Sequence, residues 1–363
     1  MIENRMHPII KEDLENIAAG IRDEARLLEG KTLLISGGAG FLGSYFLGTI
    51  NLLNRDFLAK PCRVLSVDNY ITGSRDSFIG NVYDHNIVAV EADIRRPLAI
   101  DEPADFIVHA AGLASPVYYR KYPLETIESA AFGAKNLLEK ARADRSDGLL
   151  LFSSSEIYGD PDPAAIPTPE TYRGNVSSIG PRACYDESKR LAETLCMVYH
   201  EQFGVPIKIV RPFNIYGPGM KPNDYRVVPT FMAVGLSGKP LPVHDKGVQT
   251  RTFCYISDAM IGFFKVLLRA TGGAIYNVGQ DDKEVTMLEL ATMVSGLFAN
   301  GAKPMLVQYP EAYPADEPRR RCPDLTKIRR DLDYEPRVEL STGLARTLAW
   351  FRDAHGSGST HLS

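Results

Sequence analysis

The 363-residue sequence predicts an α/β fold, a doubly wound parallel sheet with a smaller C-terminal α/β domain. Three observations lead there. From residue 31 short apolar runs alternate with longer amphipathic stretches, a glycine-rich turn joins the first run to the first long stretch, and after about residue 220 prolines, glycines and isolated arginines become more frequent. Strands separated by helices pair in parallel through crossovers, and a parallel sheet is covered by helices on both faces.

Residues 11–29 place Leu14, Ile17, Ile21 and Leu28 at near-helical spacing among charges. This predicts an amphipathic lead-in helix in an N-terminal extension, 1–30, that docks on the body or on a partner subunit. Strands are expected at 32–36, 63–67, 87–91, 106–109, 149–153 and 207–211, with helices between most of them. The sheet domain is expected over 31–220, with some return of chain from the C-terminal half. The smaller domain, 221–354, is expected to close over the carboxyl edge of the sheet, where such folds hold ligands. The tail, 355–363, is expected to be disordered.

Lys and Arg number 41 against 45 Asp and Glu, and no basic run dominates a segment, so nucleic acid is not an expected partner. The five cysteines (Cys62, Cys184, Cys196, Cys254, Cys322) lack the paired spacing of a zinc or thiol redox site, and no metal is expected. No apolar run reaches the roughly 18 residues of a membrane helix, and the N-terminus is too charged for a signal peptide. The expectation is a cytoplasmic protein with no membrane partner.

The first strand runs into Ser36-Gly-Gly-Ala-Gly-Phe-Leu-Gly43, so Gly37, Gly40 and Gly43 recur every three residues before an apolar helix. They supply a tight turn, close approach of backbone to a pyrophosphate, and tight packing of helix on strand. The helix start, at Phe41 and Leu42, then meets the phosphates. A second strand ending at Asp68 completes a Rossmann-type dinucleotide site. A carboxylate there accepts hydrogen bonds from the adenosine ribose and repels a 2′-phosphate, which favours NAD over NADP, although Arg75 follows closely. Asp93, ending the third strand, is placed either for the adenine edge or for a cap.

Tyr185 and Lys189 lie four residues apart, so a helix projects both from one face. An ammonium beside a phenol favours the phenolate and lowers the tyrosine pKa toward neutrality, where it can take a proton from a hydroxyl and return it. With the glycine turn, Asp68-Asn69, His109-Ala-Ala-Gly-Leu-Ala-Ser-Pro116, Ser153-Ser-Ser-Glu-Ile-Tyr-Gly-Asp160 and Arg211-Pro-Phe-Asn-Ile-Tyr-Gly-Pro218, this pair resembles the extended short-chain dehydrogenase/reductase family of nucleotide-sugar enzymes. The resemblance covers roughly residues 31–350. It implies Tyr185 as the base, Lys189 as holder of the nicotinamide ribose, and Ser154 as hydrogen-bond partner of the reacting oxygen. It adds Asn69, Thr72, Ile94, Ala110, Ala111, Ser115 and Phe213 to the NAD contacts. For the nucleotide sugar it implies Tyr119, Asn214, Arg226, Arg251 and Arg321, arginine being suited to bidentate bonds with phosphate and carboxylate.

Within the family, Ser155-Glu156 stands where sugar-nucleotide 4,6-dehydratases usually carry Asp-Glu. With Ile179-Gly-Pro-Arg-Ala-Cys-Tyr-Asp-Glu187 and Gln249-Thr-Arg-Thr-Phe253 it is most similar to the UDP-glucuronate decarboxylase (UDP-xylose synthase) group. That implies a UDP-sugar substrate, C4 oxidation, loss of carbon dioxide and re-reduction, with Glu156 in the catalytic set. One departure points the other way. Those enzymes usually read Lys-Thr-Asn where this chain has Glu128-Ser129-Ala130, and a carboxylate there would repel a glucuronate. Either Glu128 points away and Arg251 balances the substrate carboxylate, or the substrate lacks one and the chain is a 4-epimerase or another 4-keto-forming enzyme. An intact Ser154, Tyr185 and Lys189 argues against a binding-only protein. The resemblance also implies a homodimer built on helices near 131–143 and 184–203.

Overall fold

The computed structural model describes residues 6–75, 78–80, 82–309 and 317–355. Its main helices are α1 (Pro8–Gly20), α2 (Phe41–Asp56), α3 (Pro116–Lys121), α4 (Pro123–Asp144), α5 (Ala183–Phe203), α6 (Val227–Leu236), α7 (Ile256–Arg269), α8 (Met287–Ser295), α9 (Thr326–Leu332) and α10 (Leu340–His355). The large sheet consists of β1 (Thr32–Ser36), β2 (Arg63–Asp68), β3 (Ile87–Glu91), β4 (Phe106–His109), β5 (Gly148–Phe152), β6 (Ile207–Pro212) and β7 (Ala274–Val278). Each of the six expected strands lies within one residue of its expected bounds.

All sheet neighbours are parallel, in the spatial order β7-β6-β5-β4-β1-β2-β3. The order reverses between β1 and β4. Crossovers on the two sides of that point cover opposite faces, leaving a crevice at the carboxyl ends of these strands. Period-2 alternation divides the core. Leu33 and Ile35 pack under α2 and α7, with Phe46, Phe263 and Phe264, whereas Leu34 packs under α4 and α5, with Leu137, Leu138, Ala192 and Cys196.

The N-terminal extension docks on the body. Ile10, Leu14 and Ile17 recur at helical spacing on α1, are fully or almost fully buried, and pack against α2 and α7. The expected single helix stops at Gly20, and a short helical turn, Arg22–Ala25, carries the chain on to buried Leu28. Buried Asp13 adds a polar anchor, accepting from Tyr255 Oη at 2.9 Å and from Arg346 Nη2 at 2.8 Å. The returning chain is larger than expected, comprising both α7 and β7, and α10 also rejoins the same core through Leu344, Leu348 and Phe351. His355 ends α10 rather than beginning a tail, and residues 356–363 lie outside the described residues.

Candidate active site

The crevice holds a cavity of about 630 Å³ with a second of about 80 Å³ beside it, and Gly37, Gly40, Thr72, Ala110, Gly112 and Leu113 line both. The glycine loop shapes them. Gly37 turns at φ +81°, and a Cβ there would lie 2.7 Å from Ala111 N. A Cβ on Gly43 would lie 2.1 Å from Gly37 O, so α2 can start against the loop only with glycine at this position. Gly40 caps α2 without a side-chain hydrogen bond, leaving the first-turn N–H groups open toward the cavity.

The small cavity is lined by Asp68, Asn69, Thr72, Asp93, Ile94, Ala110 and Ala111. Asp68 accepts Ala39 N at 3.0 Å and Tyr70 N at 2.8 Å, while burial pushes its carboxyl up. Arg75 is committed elsewhere, paired with Glu91 and lying 4.5 Å from the Tyr70 ring. Asp93 lines the small cavity and also accepts from Arg95 N and the Arg95 guanidinium. Glu128 turns away from both cavities and pairs with Arg95 at 3.0 Å. The glycine cradle, the open helix start and a carboxylate lining the small cavity together fit NAD.

The large cavity brings together Ser115, Ser154, Glu156, Tyr185, Lys189, Asn214, Arg226 and Arg321. Ser154 lies two residues beyond β5 and caps the turn Ser155–Tyr158, its Oγ accepting Glu156 N at 3.2 Å. Tyr185 and Lys189 share the inner face of α5. Lys189 Nζ donates to Phe152 O at 2.8 Å and stands 5.8 Å from the Tyr185 ring centre. Burial pushes the Tyr185 phenol up to about 12, opposed by a hydrogen bond with Ser154, and pushes Lys189 down to about 8. The expected depression of Tyr185 by Lys189 is therefore absent, because the ammonium bonds a carbonyl instead of the phenol and burial dominates.

Burial would raise the Glu156 carboxyl, but Arg182, then Arg321 and Arg251, hold it below the usual carboxylate range. Arg321 donates to both of its oxygens, and Arg182 to one. Glu156 is thus an anion at neutral pH with its oxygens engaged, suited to fixing arginines and poorly suited to donating a proton.

Three expected contacts lie behind the wall. Tyr119 stacks on Tyr185 with centroids 5.2 Å apart, and its neighbour Tyr118 faces the cavity in its place. Phe213 is buried with Ile157 and Tyr158, while Pro212 and Asn214 on either side face the cavity. Arg251 donates to Thr250 O at 2.8 Å and Pro318 O at 2.6 Å and pairs with Glu317 at 3.2 Å. It braces the strand Arg320–Arg321 and is not a wall residue. Burial pushes it down to about 10, and it stays charged. Sequence reasoning missed His109, whose Nε2 donates to Ser129 O at 3.1 Å, leaving Nδ1 to accept from Ser36 Oγ at 2.8 Å. Burial pushes this imidazole down to about 3. It ties β1, β4 and α4 together at the switch point.

Comparison with known proteins agrees with this geometry. The chain is 41% identical over 312 residues to "UDP-glucuronic acid decarboxylase 5" of Arabidopsis thaliana, covering 86% of each chain. An epimerase structure from Methanothermobacter thermautotrophicus superposes with a TM-score of 0.80 at 27% identity, over 93% of this chain and 96% of that one. UDP-glucuronic acid 4-epimerase from Bacillus cereus, solved with UDP-glucuronic acid and NAD, superposes with a TM-score of 0.72 at 25% identity, over 89% of this chain and 100% of that one. Residues 33–279 match the family model described as the NAD dependent epimerase/dehydratase family. With more than half of its length matched, the chain belongs to that family, and NAD is its cofactor.

Proposed function

We propose that the chain converts UDP-glucuronate to UDP-xylose, with Ser154, Glu156, Tyr185 and Lys189 as the catalytic set. The observation that carries the reading is Glu156, buried and ionised between Arg182 and Arg321, with Arg321 on the cavity side, while Glu128, the group that would repel a sugar carboxylate, is turned onto Arg95. The similarity to the plant decarboxylase supports the same substrate.

Bound NAD supplies the acceptor for the C4 hydride and later its donor. Gly37, Gly40, Phe41, Leu42 and Gly43 hold its phosphates, and Asp68, with Asn69, Thr72, Asp93 and Ile94, holds its adenosine end. Tyr185 acts from its phenolate form, which the positive charge of Lys189 together with that of the oxidised cofactor would favour against burial, and removes the proton of the C4 hydroxyl while Ser154 hydrogen-bonds that oxygen. The ketone at C4 makes the C6 carboxylate that of a β-keto acid. Its C5–C6 electron pair then moves into an enolate as carbon dioxide leaves, and C5 takes one proton from solvent. Tyr185 returns its proton as the ketone is reduced. Arg226, Asn214 and Arg321 face the cavity as ligands for diphosphate and sugar.

The same proposal includes a homodimer, supported by exposed Leu124, Ile127 and Phe132 on α4 and Leu191, Val198 and Phe203 on α5. It includes a reducing, cytoplasmic setting, supported by five free cysteines. Among the described residues no helix is long and apolar enough to cross a membrane. Incubation with UDP-glucuronate and NAD should release carbon dioxide and give a product lighter by that mass, and Tyr185→Phe should abolish turnover. A product of unchanged mass would instead identify a 4-epimerase, the activity named for the Bacillus cereus neighbour.

A further inference from the structure

Behind Glu156 and Arg321 of the cavity wall lies a buried cation to which the mechanism above gives no role. Arg182, 5% exposed, is the N-cap residue of α5 and does not line the cavity. Its Nη2 donates to Glu156 Oε2 and its Nε lies 3.5 Å from Asp186 Oδ2. Arg321 approaches the same carboxylate from the cavity side, and its buried Nε has no hydrogen-bond partner among the described residues. The groups facing Glu156 are Arg182, Tyr185 and Asp186 from α5, Tyr119 from α3, and Arg251 and Arg321 from the strands Thr250–Arg251 and Arg320–Arg321. Glu317 lies beyond them, against Arg251.

Resting on the decarboxylase reading, we propose that Arg182 is a positioning residue for decarboxylation. Acting through Glu156, it fixes the carboxylate that aims the Arg321 guanidinium into the cavity. The chain of restraint has no slack. With its Nε unpartnered, Arg321 takes its orientation from the bidentate pair with Glu156, and Glu156 is held from behind by Arg182 and the Ser154 cap. Arg182 also keeps Glu156 ionised, as the first of the charges that oppose burial. Asp186 shares Arg182 at longer range, and burial pushes its carboxyl up to about 7, so near neutrality Glu156 is the stronger partner. Without Arg182 the buried Glu156 carboxyl would rise. Once protonated, one oxygen becomes a donor and the bidentate pair with Arg321 is lost.

The test compares wild type, Arg182→Met, Arg182→Lys and the double variant Arg182→Met/Glu156→Gln, measuring carbon dioxide release from UDP-glucuronate as kcat and KM against pH. Arg182→Met should lower kcat roughly 10- to 100-fold, the range for unpairing a buried charged hydrogen bond, with KM unchanged or lower and never raised. It should also acquire a new acid limb, activity falling as pH drops where wild type is level. Arg182→Lys, which keeps the charge but not the fork, should show a smaller loss and a smaller limb. In the double variant the residual activity should lose that limb, because the titrating carboxyl is gone. An Arg182→Met or Arg182→Lys profile parallel to wild type overturns the proposal. So does a limb that persists in the double variant, which would assign it to Asp186. If Arg182→Met does not fold, the Lys variant decides on the same criterion. A wild type that releases no carbon dioxide overturns the underlying reading and this one with it, whereas release with unshifted variants overturns this one alone.

Discussion

Gly43 and Gly40 sit three residues apart in the same loop, yet alanine at each should fail in a different way. A Cβ on Gly43 would lie 2.1 Å from Gly37 O, 2.7 Å from Gly38 Cα and 2.9 Å from Gly37 C. All three are backbone atoms, so no rotamer change relieves the overlap, and α2 must move off the loop by about 1 Å to restore contact distances. Overpacking of this kind costs about 1–3 kcal/mol. The same shift misplaces the N–H groups at the α2 start, so NAD affinity should fall by about 5- to 150-fold, the equivalent of that range. A Cβ on Gly40 meets only Gly37 O, at 3.2 Å, and its φ of −81° suits alanine. Gly40→Ala should therefore hold stability within about 0.5 kcal/mol while its methyl keeps the pyrophosphate from the backbone. Urea unfolding and calorimetric titration with NAD separate the two. Equal destabilisation by both variants, or wild-type NAD affinity in Gly40→Ala, would refute the assignment of packing to one glycine and approach to the other.

Two further outcomes concern stability. His109 ordinarily titrates near 6.5 and is pushed down to about 3 by burial, so folding favours its neutral form. Its contribution is complete above pH 6.5 and is lost as pH falls toward 3, at up to about 1.4 kcal/mol per pH unit. Unfolding free energies measured across that window should fall less steeply in His109→Gln than in wild type, and parallel slopes would mean that the imidazole is not held neutral. Ile17, fully buried on the inner face of α1, should cost about 2–4 kcal/mol on truncation to alanine without changing NAD affinity. A loss under about 0.5 kcal/mol would mean that α1 is not part of the cooperative core.

Features governed by local periodicity were legible in the sequence. The six strands, the glycine turn, the α1 stripe and the shared face of Tyr185 and Lys189 depend on residues within a few positions of one another. What was not legible depends on register or on distant partners. β7 pairs with β6 across an intervening 61 residues, 213–273, that carry α6 and α7. The sequence points to Tyr119, yet Tyr118 faces the cavity, because in this helix of six residues one position turns a side chain by about 100°. Phe213 fails by strand alternation, its two neighbours facing the cavity and it the core. Arg251 is expected among the ligands of the nucleotide sugar, but its guanidinium is taken by the carbonyls of Thr250 and Pro318 and by Glu317, and backbone acceptors leave no trace in side-chain identity.

Glu128 and Glu156 show why residue type alone left the substrate open. Both are glutamates that a carboxylate substrate would be expected to avoid. Glu128, 38% exposed, pairs with Arg95 in a contact of the kind worth at most about 1 kcal/mol, and it leaves the sugar end of the site untouched. Glu156, its side chain 17% exposed, stands in the cavity wall, but it arrives with two arginines of its own. The cluster of Arg182, Arg251 and Arg321 against Glu156, Asp186 and Glu317 is balanced when all are ionised, and the rise of Asp186 leaves it slightly positive near neutrality. On the decarboxylase reading this balance has a catalytic consequence. An unpaired Arg321 would grip the substrate carboxylate tightly and stabilise the ground state that must lose it. An Arg321 already engaged by Glu156 orients the carboxylate with less ground-state stabilisation, so its departure as neutral carbon dioxide forfeits less binding energy. Removing Glu156 should therefore tighten substrate binding while slowing turnover, the opposite of what an ordinary binding residue would do.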